Sequence, residues 1–143
     1  MDFLLGKDAK LYQGAADADL ATLTEMGNVR NAKVTMTAGE ADVSTRANAG
    51  WKATAPTQRE CTLEFEMVWK PGDIGFEALK TAFLASGTVA MAALTGEKAT
   101  SGSEGPLGNW SIIDFSRDEG LEAAIMVSVT AKIAKFVEWV KVA

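Results

Sequence analysis

Histidine is absent from the 143 residues, and cysteine occurs once. Without an imidazole there is no ordinary general base near neutral pH, and one thiol can form no intrachain disulfide. Most zinc sites and every histidine-based acid–base mechanism are excluded. Long apolar runs are missing as well. No stretch approaches the ~20 consecutive apolar residues that a membrane-spanning helix needs, so no membrane insertion is expected. The N-terminus, MDFLLGKDAK, carries an acid at Asp2 and a short apolar run where a secretory signal has a basic region and a long apolar one. That points to synthesis and retention in the cytosol. A basic surface is also lacking: 14 Lys+Arg stand against 19 Asp+Glu, the formal charge is -5, and the cations are dispersed. Such a chain is poorly suited to neutralise phosphates, and tight nucleic-acid binding is not expected.

What is present is ordinary globular composition, 48% hydrophobic and 23% charged, in a length that suits one domain over residues 1–143. No internal repeat is found. In CTLEFEMVW, Cys61, Leu63, Phe65, Met67 and Trp69 fall on one side of a period-two strand, with Thr62, Glu64, Glu66 and Val68 on the other. One face is core and the other meets water. Segment 29–37 alternates likewise after a turn at Gly27-Asn28, with Lys33, Thr35 and Thr37 on a polar face. Shorter strands are expected at 9–13, from about Thr22, and at 88–94. NWSIIDFS supplies another. IMVSVTAKI is the cleanest late strand, with Ile125, Val127, Val129 and Ile133 inward and Met126, Ser128, Thr130 and Lys132 outward. The tail FVEWVKV is too apolar to stand free in water, and it is expected to pair with a strand in this subunit or a neighbour.

Pro71-Gly72 marks a turn. Phe76, Leu79, Phe83 and Leu84 then recur at helical spacing, predicting a helix over about 74–86 that lies back on the sheet, with Gly87 as its C-cap. Two loops stand out. Residues 38–56 mix small, charged and Gly/Asn residues around Trp51, and at about nineteen residues they exceed the ~12–15 that compact domains usually tolerate without a function. Residues 95–108, TGEKATSGSEGPLG, carry no packing signal and read as a mobile Gly/Ser loop. Together these elements predict a mainly β fold: an antiparallel β-sandwich or open barrel with one flanking α-helix and a long inter-strand loop.

Candidate sites are few. Cys61 lies on an apolar strand face with no CxxC partner, which reads as a buried inert thiol. TGEKATSG departs from the order of a phosphate-binding GxxxxGK[ST] loop and lacks the strand-to-helix setting. The pairs Asp17/Asp19 and Glu40/Asp42 lack the ligand count and glycine pattern of a calcium loop. Asn109-Trp110-Ser111 matches a glycosylation acceptor, which has no meaning without secretion. No serine or threonine is singled out as a nucleophile, so no enzyme and no cofactor is expected. Glu64 and Glu66 suit either an ordinary solvent face or one that must not hold an anion. Trp51 is either a local packing anchor or a contact for another chain.

The segments EMGNVRNAKVTM, GEADVSTRANAGWKATAPT, LEFEMVWKPGDIGFEALKTAFLASG and IIDFSRDEGLEAAIMVSVTAK, in that order, span nearly the whole chain. In order and spacing they resemble the tail tube (major tail) proteins of long-tailed bacteriophages. The resemblance implies a β-sandwich with a flanking helix, six subunits to a ring, inner sheets joined into one β-barrel around a lumen that DNA crosses, and rings stacked into a tube. It further implies that 29–37 and 61–69 form a long hairpin whose polar face lines the channel, making Lys33, Thr35, Thr37, Thr62, Glu64 and Glu66 lumen-facing. The loop with Glu40, Asp42, Arg46, Trp51 and Lys52 would reach an adjacent subunit or ring. Lys33 departs from the pattern, a base where a DNA-repelling wall takes neutral or acidic groups. Implied partners are other copies of the chain, tape-measure, tail terminator and distal tail proteins, with DNA passing through unbound. The implied location is the virion tail, assembled in the cytoplasm of a bacterial host. Two alternatives stay open: a tube protein of a contractile tail or related injection machine, and a monomeric β-barrel that binds a small apolar ligand.

Overall fold

The computed structural model of the protein describes residues 6–69, 72–121 and 124–143. Among these residues there are seven strands and one α-helix: β1 (Lys10–Gly14), β2 (Thr24–Glu25), β3 (Val29–Asp42), β4 (Thr54–Val68), α1 (Ile74–Leu84), β5 (Thr88–Leu94), β6 (Glu104–Asp118) and β7 (Met126–Lys141). Every strand pairing is antiparallel, in the order β2-β1-β5-β6-β7-β4-β3. The mainly β expectation holds.

The single sheet doubles over because two of its long strands, β6 and β7, bend. The pairing of β6 with β7 shifts register between Leu107 and Gly108, Asn109 and Trp110, and Ile112 and Asp114, and each shift adds local twist. Their two ends consequently serve different neighbours. Residues 107–111 of β6 pair with β5, while residues 126–132 of β7 pair with β4. The main core lies between the resulting layers: Leu63, Phe65, Met67, Val127 and Val129 face Val89, Met91 and Trp110, with Phe76 and Leu79 of α1 packed among them. Trp110 is buried whole because its indole Nε1 donates to the Met91 carbonyl at 2.9 Å. The alternation expected in β4 is the one found.

β5 is buried on both faces. Val89 and Met91 enter the main core, whereas Ala90 and Ala92 join a second cluster with Tyr12, Leu23, Leu107 and Val140. Lys98 closes this second core. Its Nζ donates to the carbonyls of Leu20, Ala21 and Leu23 (3.4, 3.2 and 2.6 Å) and sits 5.5 Å from the Tyr12 ring centroid.

α1 starts where the Asp73 carboxylate accepts the Phe76 N–H at 3.0 Å. It ends in a Schellman turn: Ser86 takes the left-handed conformation (φ 55°), its N–H donates to the Phe83 carbonyl, and the Gly87 N–H donates to the Ala82 carbonyl at 2.9 Å. Gly87 is therefore one position beyond the left-handed residue it was expected to provide. Leu84, expected on the packed face, is 75% exposed. In the turn before the helix Gly72 has φ +82°, and Pro71 lies outside the described residues.

Other differences concern strand length. β3 and β4 stay paired out to Asp42↔Thr54 across a bulge near Ala38, so the connection runs over 43–53 and not 38–56. Both faces of that ribbon are exposed, and a ladder between two solvated faces leaves no apolar periodicity to read. The Gly/Ser loop likewise ends sooner, because β6 begins at Glu104. Gly105 permits this, since a Cβ there would strike the Ala93 carbonyl of the neighbouring β5–loop junction. The tail FVEWVKV is the second half of β7 and pairs within this subunit: Phe136↔Gly108, Trp139↔Pro106 and Val140↔Gly105.

Burial of one side of α1 sets a stability contrast. Leu79→Ala should cost about 2–5 kcal/mol in urea unfolding, whereas Leu84→Ala should change stability by no more than about 0.5 kcal/mol. Equal losses would mean that the helix packs on a different face.

Candidate assembly surface

Four strand segments form one polar wall. Antiparallel partners share a face, so the rows can be followed across the sheet: Lys33–Glu64–Thr130–Asp114, then Thr35–Thr62–Lys132–Ser111, with Glu66–Ser128–Ser116 to one side and Thr37–Glu60 to the other. The structure thus brings Lys33, Thr35, Thr37, Thr62, Glu64 and Glu66 onto a single face. Asn31 Nδ2 approaches Glu66 Oε2 at 3.4 Å on the same surface. The wall carries Glu60, Glu64, Glu66, Asp114 and Asp118 against Lys33 and Lys132, so acids outnumber bases. Lys33 lies directly opposite Glu64, which sets an acid beside the base that departed from the expected pattern.

Sequence reasoning missed the contribution of β6. The shift between Ile112 and Asp114 breaks alternation within IIDFS, burying Ile112, exposing Ile113 and turning Asp114 and Ser116 to the polar side. Two consecutive isoleucines are the available signal, since both cannot face one core in a regular strand.

This four-stranded segment has two unpaired edges. Among the described residues, β3 is bonded only to β4, and residues 112–118 of β6 are bonded only to β7. Each presents a row of backbone groups without sheet partners. β3 is the larger exposure: fourteen residues long, it leaves Val34 and Met36 in solvent on its apolar side at 40% and 51%.

Beyond residue 61, toward its tip, the β3–β4 hairpin leaves the body as a two-stranded ribbon, because β7 pairs with β4 only from Thr62 onward. Isolated two-stranded ribbons are marginally stable in water. Of the residues expected in the loop, Glu40 and Asp42 sit in β3, opposite Pro56 and Thr54. Arg46 opens a 3-10 turn (Arg46–Asn48), and Trp51 and Lys52 follow the left-handed Ala49 and Gly50. The tip is closed by its own backbone: the Val43 N–H donates to the Ala53 carbonyl (3.0 Å), the Ala53 N–H to Ser44 Oγ (2.7 Å), and the Trp51 N–H to the Asn48 carbonyl (2.9 Å). Trp51 is 80% exposed, so it anchors no local core. The structure gathers these five residues at one end of the hairpin, with no hydrogen bond or ion pair to the body among the described residues.

The described residues include no cluster of three or more metal-ligating side chains. Cys61 is buried, and burial raises its thiol pKa. A cleft of about 800 Å³ opens on the β3 side, between that strand and the β1–β2 edge.

No protein-family model matches this sequence, and no curated protein matches it. Solved structures do. The chain superposes on a subunit of the tail of an empty GTA particle, solved with C6 symmetry, with TM-score 0.74 and 16% identity over 99% of this chain and 100% of the other. The SPP1 tail tube gives 0.73 and 15% over 97% and 78%, and the anti-feeding prophage baseplate gives 0.62 and 5% over 92% and 90%. The chain has the fold shared by these tail, tail-tube and baseplate structures.

Two outcomes are expected. Cys61 should stay unreactive toward a water-soluble disulfide reagent at pH 8 until the protein unfolds, and prompt native-state labelling would contradict its burial. The hydroxyl and amide of Ser44 hold the Asp42 carboxyl below its ordinary value. A depressed folded pKa contributes order at the tip that is present at neutral pH and lost as pH falls through that folded value. Ser44→Ala should raise the Asp42 pKa in an NMR titration; an unchanged value would rule out this cause.

Proposed function

We propose that this chain is the structural subunit of a phage-type tail tube, forming stacked six-membered rings around a DNA-conducting lumen. The observation that carries the reading is the polar four-stranded sheet with an open edge on each side. Its strands alternate in direction, so β3 of one copy can meet residues 112–118 of the next copy's β6 in antiparallel sense. Going round a ring, that junction pairs the two free edges of the four-stranded wall along the length they share. The fold shared with a C6 tail structure and the SPP1 tail tube supports six copies.

In such a ring the wall bearing Glu64, Glu66, Thr62, Thr35, Thr37 and Lys33 faces inward. Its excess of carboxylates repels phosphates, so DNA slides through without being bound. The projecting hairpin tip, with Glu40, Asp42, Arg46, Trp51 and Lys52, makes the contact between adjacent subunits or rings. Head-to-tail stacking has no built-in stop, so length and ends must be set by other components: a tape-measure protein, a tail terminator and a distal tail protein. The subunit acts without catalysis or cofactor, does not insert in membranes, and belongs to the virion tail after assembly in the bacterial cytoplasm. The likeness to the anti-feeding prophage baseplate favours one second reading, a tube of a contractile tail or related injection machine. Such a tube would bind a sheath along its outer wall.

Purified protein should form six-fold rings and stacked tubes in electron micrographs, and Trp51→Ala should block stacking while the circular dichroism stays native. A protein that remains monomeric by light scattering at high concentration would refute the reading and favour the small-ligand β-barrel. Particles carrying Glu64→Lys with Glu66→Lys should assemble but eject DNA more slowly, with the delay relieved by salt. Ejection at the normal rate at every ionic strength would argue against an inward-facing acidic wall.

A further inference from the structure

The cleft and the exposed end of α1 lie beneath opposite edges of the same sheet. Leu11, Met26, Val29, Ala32, Val34 and Ala93 give the cleft an apolar lining under β3. At the other edge, the Phe83 ring of α1 stacks on Phe115 of β6 with centroids 6.1 Å apart, and Leu84 projects beyond it into solvent. Both features belong to the core side of the sheet. They also share a level. Ala32, Phe65, Val129 and Phe115 form one continuous row, and Val34, Leu63, Ala131 and Ile112 form the next.

From this placement we infer that the C-terminal end of α1, through Phe83 and Leu84, docks into the cleft beneath β3 of the neighbouring copy. The inference rests on the ring proposed above and specifies a second, apolar layer of its interface. When β3 meets the next copy's β6 with rows continuing across the junction, the helix packed under that β6 arrives under β3, at the level of Ala32 and Val34. Leu84 then leaves water, and so does the apolar side of β3. Charge agrees. The last turn of α1 holds no basic residue of its own to meet the negative end of its dipole. The cleft offers cations: Lys10 is paired with Glu25 at 3.2 Å, while Lys7 and Arg30 pair with no carboxylate among the described residues.

The test is disulfide trapping in assembled tubes, with Cys61 left in place because it is buried. Leu84→Cys combined with Val34→Cys should give a ladder of covalent multimers on non-reducing gels, and neither single variant should. Lys33→Cys with Asp114→Cys, one row on the polar face, reports the strand junction independently. A ladder from the second pair without one from the first overturns helix docking and leaves the tube reading intact. If the unmodified protein forms no rings or tubes, both fall. Leu84→Glu supplies a measurement that does not depend on trapping: the critical concentration for assembly should rise about tenfold or more, with an unchanged urea midpoint. An unchanged critical concentration overturns the inference.

Discussion

An unpaired backbone along β3 is the constraint on which the rest depends. Fourteen residues of edge strand, shifted in register between Val29 and Ala32 and between Ala38 and Glu40, are solvated on both faces over much of their length. Left alone, such an edge is a template for indiscriminate pairing. Natural sheets usually blunt edges with proline, charges, bulges or a covering element; here the two register shifts and Lys33 lie on β3, while the hairpin's proline, Pro56, sits near the tip of β4, and the stretch from Ala32 to Ala38 keeps a regular ladder with one free side among the described residues. The second open edge, at residues 112–118 of β6, supplies a partner of the same kind. On the proposed reading, a chain with two complementary edges on one sheet meets its backbone requirements by closure with copies of itself.

The other features follow from that closure. Its polar wall must be wet, which explains why Lys33, Glu64, Thr130 and Asp114 occupy a row with no apolar residue among them. The bends of β6 and β7 separate this wall from the second layer, allowing a buried core within the subunit while the polar face stays hydrated. The small residues of β5 let that outer layer be covered on both sides. In the proposed ring, the cleft under β3 and the exposed Leu84 would cover each other.

Much of this was legible in the sequence. Period-two alternation placed Cys61, Leu63, Phe65 and Met67 inward and predicted the polar face opposite, since burial on one side forces the pattern. The helix was legible through Phe76 and Leu79. Three things were not. Hairpin length was hidden because residues paired between two solvated faces need no apolar repeat, so Glu40 and Asp42 read as loop. Bulges in β6 flip alternation partway, which hid Asp114 and Ser116. The position of Ser86 at the helix end was obscured by Gly87, the better left-handed residue by type. Which residues touch a neighbour is a property of several chains, and Trp51 could be read either as a local packing anchor or as a contact for another chain until its exposure in the fold removed the first.

The most direct measurement is hydrogen exchange compared between monomer and assembly. If edge closure organises the tube, alternate amides of β3 and of residues 112–118 in β6 exchange freely in the monomer and become protected together on assembly, while β5 is protected in both states. Assembled tubes whose two edges exchange as fast as in the monomer would contradict the account.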